Sequence, residues 1–228
     1  MLPLVLAVAV LVAANVLNNR VAPRWYLLTS LAATAVLLAL YAWAGAPWAV
    51  AGLGPGAVRR GLPWALLFAG LVALVFAVGA VLPATRPVFE DRRVRGAGPG
   101  ELAYQVLLRI PVGTVLLEEV AFRGVLYGMV RQPGGAGWAT AVGAALFGLW
   151  HVLPAAGLVR DNPVAGRAFA GRRALVVPVS VLATGLAGVL LSEAQRRTGS
   201  LLPPFTLHWA LNGLGYLTAY LVGRRLIR

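Results

Sequence analysis

Leu116-Leu117-Glu118-Glu119-Val120-Ala121-Phe122-Arg123-Gly124 sets two adjacent carboxylates and a guanidinium inside a run that otherwise reads as a membrane helix. Ionisable groups at such depth cost several kcal/mol unless they are paired or functional. At roughly 100° per helical residue, Glu119 and Arg123 are four apart and share a face, while Glu118 points about 100° away. Glu119 is therefore the natural ion-pair partner of Arg123, and Glu118 is free to face a cavity. Taken alone, the stretch also fits a purely structural buried ion triad that fixes helix packing.

The surrounding composition fixes the fold class. The chain's 228 residues are 60% hydrophobic and 12% charged, with a mean hydropathy of +0.80, too apolar for a soluble domain around one core. Several runs reach the roughly 20 apolar residues that span a bilayer. The expectation is an all-α, polytopic transmembrane helical bundle forming a single integral membrane domain, 1–228, with its active site in a membrane-embedded cavity. All 20 basic residues are arginine, and most lie singly or in pairs between apolar runs. The net charge of +13 thus reads as topology and contact with the lipid bilayer rather than nucleic-acid binding. The absence of cysteine removes disulfides, thiolate catalysis and Cys-ligated metal together. The apolar N-terminus lacks a basic leader and reads as an uncleaved first span.

Hydropathy with Gly, Pro and Arg punctuation gives seven spans, eight being the other count. They run at about Leu2 to Val16, Trp25 to Ala44, Leu62 to Leu82, Tyr104 to Val130, Trp138 to Val152, Ala174 to Leu191 and Leu201 to Val222. Trp25 and Tyr26 read as interfacial, and the charged connector Pro83 to Gly100 as a surface loop. Glu101, Gln105 and Arg109 recur every four residues before Pro111, giving an amphipathic turn or two that lies in the interface or begins the fourth span. Residues 1–82 form N-terminal spans of unclear role, and 101–223 the catalytic helical core. Arginine counts by alternate loops, 13 against 5, predict an outside N-terminus and a cytoplasmic C-terminus.

Chemistry-bearing residues are scarce. Of seven acidic residues only Glu118 and Glu119 fall well inside a span, and both histidines, His151 and His208, lie in or at the end of one. A lone histidine on an apolar helix is more often packed than catalytic. Two glutamates, two histidines, an arginine and an asparagine confined to three spans make independent accidents much less probable. His208 and Asn212 are four apart and project from one helical face, so imidazole and carboxamide can converge on one atom. Phe147 has the same spacing to His151 and packs beside it. Either pair also fits simple helix-helix glue.

Glu118-Glu119-x-x-x-Arg123-Gly124, Phe147-x-x-x-His151 and His208-x-x-x-Asn212 resemble, in order, the three signature motifs of the CPBP intramembrane proteases, the family of CAAX prenyl endopeptidases and bacteriocin-processing or immunity proteins. The ordered set is specific, whereas the first three spans share only hydropathy with that family. The resemblance implies an endopeptidase cutting near the C-terminus of a peptide or membrane-anchored protein substrate. It further implies that Glu118 activates a water, His151 assists, and His208 with Asn212 stabilises the tetrahedral oxyanion, with Glu119, Arg123 and Phe147 in support. N–H donors at a developing oxyanion are usually the largest catalytic contribution.

Metal use stays open: Glu118, His151 and His208 could form a zinc site with an open water position, whereas Asn212 is a poor zinc ligand and a glutamate can activate water unaided. Other membrane-protease classes fit less well, because the chain has no His-Glu-x-x-His, no aspartate within a span and no Gly-x-Ser-Gly; Ser200 is the only serine worth testing. Two further functions compete, a catalytically silent immunity or partner protein of the same fold and a proton-coupled small-solute carrier. The Arg-only, Ala- and Gly-heavy composition points to the plasma membrane of a bacterium with a GC-rich genome.

Overall fold

In the computed structural model, described over residues 1–226, every long element is a helix, and no strand forms among the described residues. Helix α1 runs Leu2–Val16 and continues as a wide turn, Leu17–Val21. After a break at Ala22, Pro23–Trp25 leads into α2, Tyr26–Trp43. Helix α3 is Ala57–Val81. The stretch Pro99–Ala155 is two helices, α4 (99–134) and α5 (136–150), joined where Gly135 takes φ 77°, a backbone only glycine adopts readily. Helix α6 is Val176–Thr198, closed by Gly199 in the left-handed conformation, and α7 covers 202–226.

Among the described residues five helical stretches are long and apolar enough to cross a bilayer: Leu2–Val21, Pro23–Trp43, Ala57–Val81, Pro99–Ala155 and Arg173–Thr198. With no water to satisfy a backbone inside lipid, helices that bond internally are the natural solution. Leu66, Leu71, Leu74 and Val75 of α3, and Leu182, Leu186 and Leu190 of α6, are exposed, as lipid-facing surfaces should be.

The element boundaries depart from the sequence reading in four places. Helix α3 starts at Ala57, so Arg59 and Arg60 sit on its first turn, not in a loop. Helix α4 starts at Pro99 and passes through Pro111, because widened turns over Gln105–Val115 accommodate the missing N–H. The ladder Glu101, Gln105, Arg109 lies on this helix, with Gln105 donating to Glu101 at 2.7 Å and Arg109 to Gln105 at 3.4 Å. Helix α6 continues to Thr198, which puts Glu193, Arg196 and Arg197 on its last turns rather than beyond it. The segment after His151 folds into three short helices, Val152–Ala155, Leu158–Asp161 and Pro163–Ala168. The C-terminal Arg228 lies outside the described residues.

The glutamate motif occupies the centre. Every residue from Leu117 to Gly128 is buried, and a helix apolar and covered all round is one wrapped by the others. Leu11 of α1, Leu37 and Tyr41 of α2, Phe122 and Leu126 of α4, Phe147 and Trp150 of α5 and Leu191 of α6 form the main core around it. Helices α5 and α6 meet on small residues: a Cβ on Gly148 would fall 2.6 Å from the Val181 carbonyl, and one on Gly188 3.1 Å from Cα of Ala144. Such approach is how membrane helices gain packing without a hydrophobic driving force between them.

Candidate active site

On α4, Glu119 Oε1 accepts from Arg123 Nη1 at 3.0 Å, and both side chains are only 1% exposed. The guanidinium carbon also lies over the Phe147 ring from α5, 3.9 Å from its centroid. The helical spacing therefore produces the expected pair, and the aromatic face adds a second hold on the cation. From α7, His208 Nδ1 comes within 2.7 Å of Glu119 Oε1. An ionised carboxylate only accepts, so Nδ1–H donates and the ring is oriented with Nε2 turned the other way.

That second nitrogen faces Glu118. His208 Nε2 stands 3.8 Å from Glu118 Oε2, too far for a direct hydrogen bond, and Oε2 has no partner among the described residues. The other oxygen, Oε1, accepts from Trp150 Nε1 of α5 at 3.0 Å. Glu118 is thus held by one oxygen and presents the other toward an imidazole. Buried polar atoms rarely go unpaired, so Oε2 is an acceptor that lacks a donor among the described residues.

His151 closes α5. Its Nδ1 donates to the Phe147 carbonyl at 2.8 Å. The Phe147 ring packs edge-on to His151 at 4.6 Å and to His208 at 6.0 Å, so one aromatic ring seats both imidazoles and the Arg123 cation. Glu118, Glu119, Arg123, Phe147, His151 and His208, read from the sequence, come together around it.

Asn212 is placed differently. His208 is buried whereas Asn212, four residues on, is exposed, and it makes no hydrogen bond among the described residues. Asn212 lies in the widened turn Ala210–Leu214.

Three residues of this neighbourhood escaped the sequence reading. Trp150, which holds Glu118, looks like any interfacial tryptophan, although it precedes His151 directly. Asn15 of α1 donates to the Trp150 carbonyl at 2.7 Å; a lone asparagine deep in an apolar helix was the available signal. Tyr26 was read as interfacial, but its hydroxyl bonds Thr114 of α4 at 3.0 Å, one turn before Glu118, with the Arg109 guanidinium 4.5 Å over its ring. Ser200 is a turn cap instead of a nucleophile, its Oγ accepting from Leu202 N at 3.1 Å.

A zinc ion at Glu118, His151 and His208 would need three donors converging at about 2.0–2.2 Å. Among the described residues no three His, Cys, Asp or Glu side chains converge closely enough to hold a metal ion. The donor set present is the pair Glu118 Oε2 and His208 Nε2.

The fold and this centre define an all-helical membrane protein that buries two glutamates, an arginine and one histidine, with a second, half-buried histidine, around one aromatic ring. Residues 100–214 match the model of the type II CAAX prenyl endopeptidase Rce1-like family. The chain belongs to that family, whose members are CAAX-type intramembrane proteases. No curated protein and no solved structure matches the chain.

Proposed function

We propose that the protein hydrolyses a peptide bond with a water activated by Glu118, and that it does so in a bacterial plasma membrane, crossing it seven times with the C-terminus cytoplasmic. The observation that carries the proposal is the free Oε2 of Glu118 facing Nε2 of His208 across 3.8 Å. A water beside Oε2 gives one proton to it while the water oxygen attacks the scissile carbonyl, and the carbonyl π electrons move onto oxygen. Glu118 then returns the proton to the leaving amine as the tetrahedral intermediate collapses. His208, oriented through Nδ1 by the Glu119–Arg123 pair, stabilises the oxyanion when Nε2 carries a proton. His151 assists from the other side of Phe147, and Asn212 joins once substrate draws its carboxamide inward. The substrate is a peptide or membrane-anchored protein whose C-terminal region reaches this depth.

The test is cleavage of a membrane-tethered peptide library by the purified chain. Glu118→Gln and His208→Ala should each lower turnover at least a hundredfold. Unchanged cleavage in both, at normal expression, overturns the proposal. Loss of proton-coupled uptake in Glu118→Gln without any peptidase activity in the parent would favour a carrier. Activity that persists after exhaustive chelation, with no zinc bound, supports the unaided glutamate route. Activity lost on chelation and restored by zinc would replace it.

A further inference from the structure

The contact between Trp150 and Glu118 extends this reading and rests on Glu118 being the base. A glutamate side chain has three rotatable bonds, and nothing intrinsic selects which oxygen meets the water. Here the indole Nε1–H selects it: the bond at 3.0 Å takes Oε1 and leaves Oε2 for the His208 gap. The indole is itself held. Its ring packs edge-on against Phe122 at 5.8 Å, and Trp150 ends α5, where helix carbonyls lack intrahelical donors. Asn15 Nδ2 from α1 supplies that donor at 2.7 Å. Asn19 Nδ2 fixes the Asn15 amide by donating to its Oδ1 at 2.9 Å, and Asn18 Nδ2 ties the same end of α1 to Ser30 Oγ of α2 at 3.0 Å.

We infer that Trp150 is the positioning residue that sets the Glu118 carboxylate, and that Asn15, outside the family-matched segment, completes the site by capping the helix that carries Trp150. The first helix thereby gains a catalytic duty rather than a packing one alone. Misplacing a reacting group by about 1 Å can cost as much as a hundredfold in rate, so a residue that only aims the base has a measurable effect.

The experiment uses the full chain in lipid nanodiscs with ¹⁵N-indole tryptophan, plus steady-state cleavage of a tethered peptide. The Trp150 indole resonance, assigned by its loss in Trp150→Phe, should shift in Glu118→Ala. Trp150→Phe keeps the aromatic bulk and loses the donor: kcat should fall about tenfold to a hundredfold with KM and melting temperature unchanged. Asn15→Leu should lower kcat in the same direction, by less, and shift the same resonance. An indole resonance that ignores Glu118→Ala, or a kcat that ignores Trp150→Phe, overturns the inference. If melting temperature falls in Trp150→Phe, the Asn15→Leu kcat and the wild-type indole shift decide in its place. Should the parent cleave no peptide at all, the protease reading fails on its own while the resonance still decides the contact.

Discussion

At the scale of single residues, the decisive interaction is an ion pair almost wholly removed from water. Glu119 and Arg123 use one bond between them, and Glu119 Oε2 and Arg123 Nε and Nη2 have no partner among the described residues. Removing one member leaves the other charge buried, which costs about 3–5 kcal/mol. Arg123→Met and Glu119→Leu should therefore each lower the unfolding midpoint in detergent strongly, and the double variant by less than the two losses combined. Equal and additive losses would show that the pair is not coupled. Arg123→Lys keeps the charge but loses the guanidinium seated over Phe147, so it should not restore full stability. This pair was legible because helix spacing fixes it locally. Trp150 and Asn15 were not, because the contacts that give them a role join residues 135 and 32 positions apart in sequence, and nothing local encodes those.

At the scale of helices, glycine placement separates buried seams from lipid-facing surfaces. A methyl at Gly148 would collide with the Val181 backbone on α6, whereas one at Gly70 of α3 meets nothing within 4 Å. Gly148→Ala should thus force α5 away from α6 and destabilise by about 1–3 kcal/mol. Because Phe147 and His151 ride on α5, turnover should drop with it. Gly70→Ala should be neutral or slightly stabilising, since alanine is the better helix former. Matching unfolding midpoints for the two variants would show that the α5–α6 seam is looser than its geometry. The same scale shows where pattern reading stops. Apolar runs located every long helix, but the wide turns at Gln105–Val115 and Ala210–Leu214 leave no mark in hydropathy. The second of them contains Asn212, which is exposed where His208 is buried.

At the scale of the whole molecule, the two ends of the bundle differ in charge, and the contacts say which loops share an end. Arg92 donates to the Arg160 carbonyl, joining the segments before α4 and after α5. At the other end Leu201 N donates to the Gly52 carbonyl and Gln195 to that of Val50, joining the α2–α3 and α6–α7 connections. The first end carries Arg86, Arg92, Arg93, Arg95, Arg160, Arg167, Arg172 and Arg173, and the second Arg59, Arg60, Arg196 and Arg197. A membrane that retains arginine on its cytoplasmic side would orient the arginine-rich end inward. The chain has no cysteine, so single cysteines report sidedness cleanly. Both Ala170 and Ala49 are exposed, one at each end. In intact cells, Ala49→Cys should react with a membrane-impermeant maleimide and Ala170→Cys should react only after permeabilisation. The reverse labelling would invert the molecule, and with it the side from which a substrate reaches Glu118.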